Sequence, residues 1–358
     1  MKHITEDDIE DLALGAVVLG AGGGGDPWIA KIMLREAIRR HGPIPLVDPD
    51  ELDPEGLVLS VGMVGAPTAI IEQFPNGDEV PRVLDSMAGL LGRPGAAVMP
   101  IEVGGMNTLF PLAAAAHAGL PCVDADAMRR AFPQIEMTLL TLAGHSVSPV
   151  ALADVRGNDV IVQSVNNATA ELFTRTNVMN MGMVAVLCAY PLATAEVASA
   201  AALGSVSYCL ELGKRLRVVA ESGTDDALED FLGFADGREV FAGVVVDVER
   251  RTVDGFARGT VVLSHLDDPD RLLRIEIQNE NLIAVEDGVP IVTVPDLITL
   301  LDTETSTPVT TEMLAYGQRL RVIGIAVHER WLEPDGLALT GPRAFGYDLD
   351  HIPVGGNS

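Results

Sequence analysis

Positive charge is scarce in this 358-residue chain, which has 24 lysines and arginines against 51 aspartates and glutamates. The formal net charge is −27. A nucleic-acid partner requires clustered cations that neutralise its phosphates. The densest basic run, Lys214–Arg217, lies where a predicted helix ends, and cations there stabilise the helix C-terminus. We therefore expect no nucleic-acid binding.

Cysteine is also rare: Cys122, Cys188 and Cys209 are far apart and form no CxxC pair. This pattern supports neither a disulfide framework nor a structural zinc site. Aromatic residues make up only 4% of the chain, yet 48% of it is hydrophobic. The composition therefore predicts a folded protein with a sizeable, mainly aliphatic core.

Targeting signals are absent as well. Acidic residues occupy positions 6–8, where a signal peptide needs an apolar stretch, so we expect a cytoplasmic protein. The most membrane-like stretch, residues 179–203, contains Asn180, Pro191 and Glu196. It therefore predicts core and not a membrane span.

Several catalytic signatures are missing from the sequence. It has no GxSxG elbow, no HExxH motif and no EF-hand loop. The glycine cluster Gly20–Gly25 follows a predicted helix and no Gly-Lys-Ser/Thr comes after it, so it matches neither the dinucleotide fingerprint nor the P-loop. Nothing here calls for a nicotinamide or flavin cofactor, while a divalent metal stays open.

Hydrophobic periodicity divides the chain into two predicted domains. In residues 1–170, short apolar runs such as Leu57–Gly62 alternate with helical segments, which predicts an α/β domain with a mostly parallel sheet. Residues 171–355 are expected to be helical to about residue 235. Short strands punctuated by Gly, Pro and Asp follow, which predicts a mainly β part of barrel or sandwich type.

The glycine-rich segment Leu19–Pro27 is the first candidate for ligand binding. Its four consecutive glycines are Gly22, Gly23, Gly24 and Gly25. Such glycines let backbone N–H groups approach an anion or a polarised carbonyl. Asp26 allows two interpretations: a carboxylate beside the ligand, or the N-cap of the next helix with Pro27 at its first position.

The second candidate is the segment Met99–Asn107, a strand end, a glycine turn and a helix start. Ligands bind at the carboxyl ends of strands in open α/β sheets, which places Glu102 and Asn107 well for facing a substrate. The alternative role of Asn107 is that of a helix cap.

The third candidate is the strand end at Asp124 and Asp126, two carboxylates at i and i+2. Alternation along a strand places both on one side, which suits a divalent cation or an acid–base pair. His145 could join them as a ligand or proton carrier, and Arg130 could bind an anionic substrate locally. The alternative for the two aspartates is a solvated loop.

These segments together resemble the S-methyl thiohydantoin desulfurase family, whose members often occur alongside hydantoinase and oxoprolinase proteins. The resemblance continues through Ile277–Leu282, Val294–Leu297 and Gly341–Asp348, so it covers nearly the whole chain. It implies an α/β domain followed by a largely β domain, and the hydrolytic removal of sulfur from a thiohydantoin-type ring. Ala127 and Arg129 depart from the pattern, because glycines are expected there.

The resulting hypothesis is an enzyme for a small heterocyclic substrate. Water is activated by a metal or by Asp124 and Asp126, His145 carries the proton, and N–H groups of Gly22–Gly25 stabilise developing charge. Glu102 and Asn107 bind the ring. The alternative is an accessory subunit that binds a small ligand and partners a hydantoinase- or oxoprolinase-type protein. Whether the chain forms a homo-oligomer stays open.

Overall fold

Two eight-stranded sheets and the helices around them form the fold of the part of the chain that the computed structural model describes, residues 2–66, 69, 73–253 and 256–355. The strands are β1 Lys2–Ile4, β2 Ile44–Val47, β3 Leu57–Gly65, β4 Ala97–Pro100, β5 Cys122–Val123, β6 Ala125–Asp126, β7 Val150–Ala153, β8 Asp159–Val162, β9 Val184–Ala193, β10 Ala202–Leu203, β11 Gly237–Val253, β12 Phe256–His265, β13 Leu272–Gln278, β14 Glu280–Glu286, β15 Val289–Thr293, β16 Leu297–Asp302, β17 Pro308–Val309 and β18 Arg319–Ile325. The α-helices are α1 Ile9–Leu19, α2 Trp28–His41, α3 Glu79–Leu91, α4 Met106–Ala118, α5 Leu139–Leu142, α6 Asn167–Asn180, α7 Thr194–Ala200, α8 Ser205–Ser222, α9 Asp225–Ala235 and α10 Pro334–Thr340.

The first sheet has the order β1-β2-β5-β4-β3-β9-β7-β8. Its β2, β5, β4 and β3 are parallel, as predicted for the α/β domain, and antiparallel strands flank them on both sides. Residues 57–64 of β3 are all buried, which explains why this strand is a continuous apolar run without alternation. The mixed sheet thus has a parallel centre.

Strand β9 corrects one part of the prediction. The sequence predicts helix throughout the segment that leads to residue 235, yet residues 184–193 pair antiparallel with β3 and β7. The strand is almost entirely buried, and a short apolar run buried on both faces has no periodicity that separates strand from helix. The domain boundary near residue 170 stays a prediction.

The helices α1 and α8 approach each other at backbone distance. A Cβ atom on Gly15 would lie 2.0 Å from the Cys209 carbonyl oxygen, and one on Gly213 would lie 1.7 Å from that of Asp11. Only glycine permits this close crossing. It fixes α1, and therefore the start of the glycine-rich loop that follows it.

The second sheet is antiparallel throughout, in the order β15-β14-β13-β12-β11-β18-β16-β17. Two register shifts bend the long strand β11, and the sheet curls so that β14 lies against β16. Within the described ranges no ladder joins β15 to β17, so the predicted β part is one curled open sheet and no closed barrel. In those ranges, too, no helix has the length and apolar character needed to cross a bilayer.

Candidate active site between the two sheets

A cavity of about 510 Å³ lies between the two sheets. The N-terminal part contributes the glycine-rich loop, the segment after β4 and the segment 132–135. The C-terminal part contributes β11, β12, the start of β14 and residues 311–312. Pockets of this size and position commonly hold small molecules. Neither part of the chain forms the site alone.

The glycine-rich loop joins α1 to α2, as predicted, and Gly23 and Gly24 line the cavity, whereas Gly22 and Gly25 do not. The C-terminal part holds the loop, because Asn281 N–H donates to the Ala21 carbonyl and Thr311 N–H donates to that of Gly22, both at 2.8 Å. Gly22 and Gly24 have φ of +89° and +73°, conformations that favour glycine. The loop is therefore part of the joint between the two domains.

Gly24 presents its backbone to the cavity. Its carbonyl accepts from Met106 N–H at 2.9 Å, and a Cβ atom on Gly105 would lie 2.2 Å from that oxygen. Within the described residues the Gly24 N–H has no acceptor. An N–H group in this position can donate to an oxygen or nitrogen of a ligand.

Glu102 and Asn107 both line the cavity, and their predicted role in substrate binding stays a prediction. The Asn107 side chain donates to Glu102 Oε1 at 2.7 Å and is held by both backbone groups of Met63. Glu102 Oε2 has no partner within the described residues. Asn107 thus orients the Glu102 carboxyl, whose Oε2 is buried without a hydrogen-bond partner in the described residues.

Burial raises the pKa of Glu102 to about 7, although the hydrogen bond from Asn107 lowers it. The nearby charge of Asp126 also raises this pKa, and that of Arg130 lowers it. Glu102 therefore changes its protonation state near neutral pH.

Glu280 is a second buried acid of the cavity, at the start of β14. Burial, together with the charge of Glu102, raises its pKa to about 8, although the charge of Arg130 lowers it. Glu280 Oε2 also lacks a partner within the described residues. Two acids from different domains therefore line one cavity, and each has a buried oxygen that no described protein group satisfies.

Arg130 lies behind these acids and not against the cavity, which corrects the role predicted for it. The side chain is fully buried over the ring of Phe132 and donates to the backbone carbonyls of Ala131, Pro295 and Asp296. Burial lowers its pKa to about 10, so the guanidinium stays charged at neutral pH. Arg130 joins the two domains and lowers the pKa of both acids.

Asp124 and Asp126 do not line the cavity, although both were predicted to be catalytic. Asp124 accepts from the backbone and hydroxyl of Ser207 in the first turn of α8. Asp126 accepts from the backbone N–H groups of Val103, Met128 and Arg129 at 2.8–3.1 Å. Their oxygens are occupied, and Asp126 holds the segment that carries Glu102.

His145 and Asp26 also lie outside the cavity lining. The His145 ring is 3.9 Å from the Glu196 carboxylate. The exposed Asp26 accepts from Trp28 N–H at 2.9 Å, but the N-cap of α2 is Pro27 and not Asp26. Among the described ranges, no group of three or more His, Cys, Asp or Glu residues has the geometry of a metal site. The described residues therefore provide no ligand set for the divalent metal that the sequence allowed.

Two known protein-family models match this chain. The model described as S-Me-THD-like, N-terminal domain matches residues 7–164, and the model described as S-Me-THD-like, C-terminal domain matches residues 165–354. The chain belongs to the S-Me-THD-like family. A crystal structure of a protein from Chromobacterium violaceum is similar, with 26% identity and a TM-score of 0.84 over 99% of this chain and 100% of that one. No curated protein matches the sequence significantly.

Four arginines also line the cavity of this S-Me-THD-like protein. Arg175, Arg250, Arg251 and Arg258 all line it. Arg251 and Arg258 are direct cross-strand partners on β11 and β12, where like charges repel. Arg251 lies 4.0 Å from the Glu249 carboxylate, whereas Arg258 has no carboxylate within 4.0 Å in the described residues. In a chain at −27, such a pair favours an anionic group of a ligand.

The sequence missed Glu280 and the cavity arginines. The segment Ile277–Leu282 entered the family resemblance without a role, although its polar residues interrupt a strand region. Three of them are buried: Gln278, Glu280 and Asn281. The available signal in the sequence was the run of polar residues inside an otherwise strand-like segment. The arginines gave no signal, because cross-strand register cannot be read from one strand.

The backbone conformation at Arg129 explains why the family pattern has glycine at this position. Its φ is +64°, so the glycine conformation is retained by a residue that has a Cβ atom. Arg129 Nη1 donates to the Leu203 carbonyl at 3.0 Å, and the guanidinium lies 4.4 Å from the centre of the Tyr208 ring. These contacts offset the strain.

We expect Arg129→Gly to be more stable than Arg129→Ala by about 1 kcal/mol, because both lose the contacts and only alanine keeps the strain. Urea unfolding monitored by circular dichroism measures this difference. Arg40 in α2 is the matched control, since glycine is less stable than alanine in an ordinary helix. The same order at both positions would contradict the explanation.

Proposed function

We propose that this protein hydrolyses the C–S bond of an S-methyl thiohydantoin-like ring in the cavity between the two sheets. Water adds to the ring carbon that carries sulfur, a C–O bond forms and the C–S bond breaks. The products are the ring carbonyl compound and methanethiol, and the thiol takes up one proton. No oxidant or reductant is consumed. Membership of the S-Me-THD-like family supports the substrate class.

The convergence of Glu102 and Glu280 at the cavity is the observation that carries the proposal. With pKa values of about 7 and about 8, Glu102 is partly ionised at neutral pH while Glu280 is mostly protonated. Glu102 is therefore the general base that takes a proton from water. Glu280 is the general acid that protonates the departing sulfur.

Other residues of the cavity bind and orient. Gly24 N–H donates to a ring heteroatom on which negative charge develops. Asn107 holds the Glu102 carboxyl through the contact with Met63. The Arg251 and Arg258 pair lies where an anionic form or substituent of the ring is accommodated.

Thiol release from an S-methyl thiohydantoin tests the proposal directly. The purified protein is incubated with the compound, and free thiol is measured with a disulfide reagent while the ring product is identified by mass spectrometry. We expect turnover by the protein alone, with incorporation of one oxygen from ¹⁸O-labelled water. Absence of turnover, or a product without the label, would overturn the hydrolytic assignment.

The pH dependence is a second expected outcome. We expect kcat/KM to rise as Glu102 loses its proton, near pH 7, and to fall as Glu280 loses its own, near pH 8. A narrow bell-shaped profile follows. Circular dichroism at each pH separates this fall from unfolding, which the raised pKa values also favour at high pH. A flat profile between about pH 6 and 9 would contradict the assignment.

The accessory-subunit alternative is tested by the same assay. A non-catalytic protein would release thiol only when mixed with a hydantoinase- or oxoprolinase-type enzyme. The exposed apolar side chains of Val165, Leu172 and Phe173 offer a surface for such a partner. If the isolated protein releases thiol, the reaction does not require a partner bound at this surface.

A further inference from the structure

Arg175 differs from the other arginines of the cavity because its position is fixed by three kinds of contact. It lies on α6, and its Nε pairs with the Glu171 carboxylate one turn earlier. Its Nη2 donates to the Pro133 carbonyl at 2.9 Å, and its Cζ lies 4.3 Å from the centre of the Phe256 ring. The guanidinium is therefore preorganised.

One donor of Arg175 remains unused. Nη1 makes no hydrogen bond within the described residues, and it is not among the side-chain atoms that the protein encloses. Arg175 lines the cavity and only 12% of its side chain is exposed, which places this unpaired nitrogen at the cavity wall. A preorganised, partly desolvated cationic donor binds an oxygen acceptor strongly.

The contacts of Arg175 also hold the cavity wall. Glu171 accepts from Ile135 N–H at 3.1 Å through its other oxygen, and Pro133 and Ile135 both line the cavity. Phe256 belongs to β12, the strand that carries Arg258. Arg175 thus lies where the segment 132–135, α6 and the second sheet meet.

We propose that Arg175 is a further catalytic residue of this site, whose Nη1 donates to the ring carbonyl oxygen of the substrate. The inference rests on the proposed function. A cation at this oxygen withdraws electron density through the intervening ring nitrogen from the carbon bound to sulfur. That carbon becomes more electrophilic toward water, and the negative charge that reaches the oxygen is stabilised.

A substrate pair separates this contact from a purely structural role. The two compounds are 2-methylthio-imidazolin-4-one and 2-methylthio-2-imidazoline, which lacks the ring carbonyl. We expect Arg175→Met to lower kcat/KM for the first by about 10- to 100-fold, the range for a hydrogen bond to a charged group. For the second compound the variant and the wild type should differ by less than about threefold.

Arg175→Lys keeps the charge without the planar donor geometry, so we expect partial recovery with the carbonyl compound. Arg40→Met is the matched control, because Glu36 and Arg40 form an exposed i,i+4 pair on α2 away from the cavity. It should leave both reactions unchanged. An equal loss for both compounds in Arg175→Met, or no loss for the carbonyl compound, overturns the contact.

A binding measurement keeps this result distinct from failure of the proposed function. Calorimetry with hydantoin and with imidazolidin-2-one, which lacks the second carbonyl, is carried out on the wild type and on Arg175→Met. If no thiol is released but the wild type prefers hydantoin and the variant does not, the hydrolytic function fails and the Arg175 contact stands. If the wild type binds both rings equally, or binds neither, the contact is wrong whatever the turnover.

Discussion

Glu280→Gln is expected to lower kcat for thiol release by about 10²- to 10⁴-fold, the usual contribution of a general acid. Glutamine has the same shape but cannot give up a proton to the departing sulfur. Glu102→Gln should cause a loss of similar size, because an amide cannot take a proton from water. The measurement is steady-state release of thiol across pH.

The two variants should also change the pH profile in different ways. Loss of the base in Glu102→Gln removes the rising limb near pH 7, and loss of the acid in Glu280→Gln removes the falling limb near pH 8. Both proteins are expected to remain folded, because each substitution replaces a buried ionisable group by a neutral one of equal size.

Asp126→Asn provides the contrast. Its carboxylate accepts three backbone N–H groups, so an amide should lower the free energy of unfolding by about 1–3 kcal/mol. The pH profile of the folded fraction should keep both limbs. If Asp126→Asn abolished turnover at unchanged stability while Glu280→Gln remained active, the catalytic residues would lie at the strand end with Asp126 and not at Glu280.

Gly23→Ala is also expected to have a large effect, a loss of about 100-fold or more in kcat/KM. The added Cβ atom would lie 2.2 Å from Glu280 Oε1, which is closer than two non-bonded heavy atoms can approach. Gly23 does not have a positive φ, so the backbone accepts alanine. The carboxyl must move, and a displacement of about 1 Å can reduce catalysis 10²-fold.

Gly89→Ala is the matched control for this substitution. Gly89 lies in α3, and a Cβ atom there meets no other atom within 4 Å. We expect unchanged turnover and a stability gain of up to about 1 kcal/mol, because alanine is the better helix former. Full activity in Gly23→Ala would show that the position of Glu280 beside the glycine-rich loop is not needed for turnover.

Local patterns predicted most of the first domain. The helix–glycine–helix arrangement around Gly20–Gly25 and the strand ends before Glu102 were correct, because apolar periodicity and glycine conformations act over a few residues. Strand β9 was missed, since a strand buried on both faces lacks alternation. The second sheet was predicted as a barrel or sandwich and is one curled open sheet, because its closure depends on the register of distant strands.

The candidate site divides in the same way. Glu102, Asn107, Gly23 and Gly24 were predicted at the site and do line the cavity, since each follows a strand or helix end in its own segment. By their spacing in the sequence, Asp124 and Asp126 were equally suitable candidates for the site. Spacing cannot show that Ser207 and the Val103 backbone already occupy their oxygens.

By itself the sequence determined the net charge of −27, the order of the main elements and the positions of the flexible glycines. These depend on composition and on neighbours along the chain. Only the tertiary structure decided that Glu102 and Glu280 line the same cavity and that Arg130 lowers the pKa of both. The physical reason is that the pKa values of these acids arise from burial and from charges on distant segments, which meet only when the two sheets pack together.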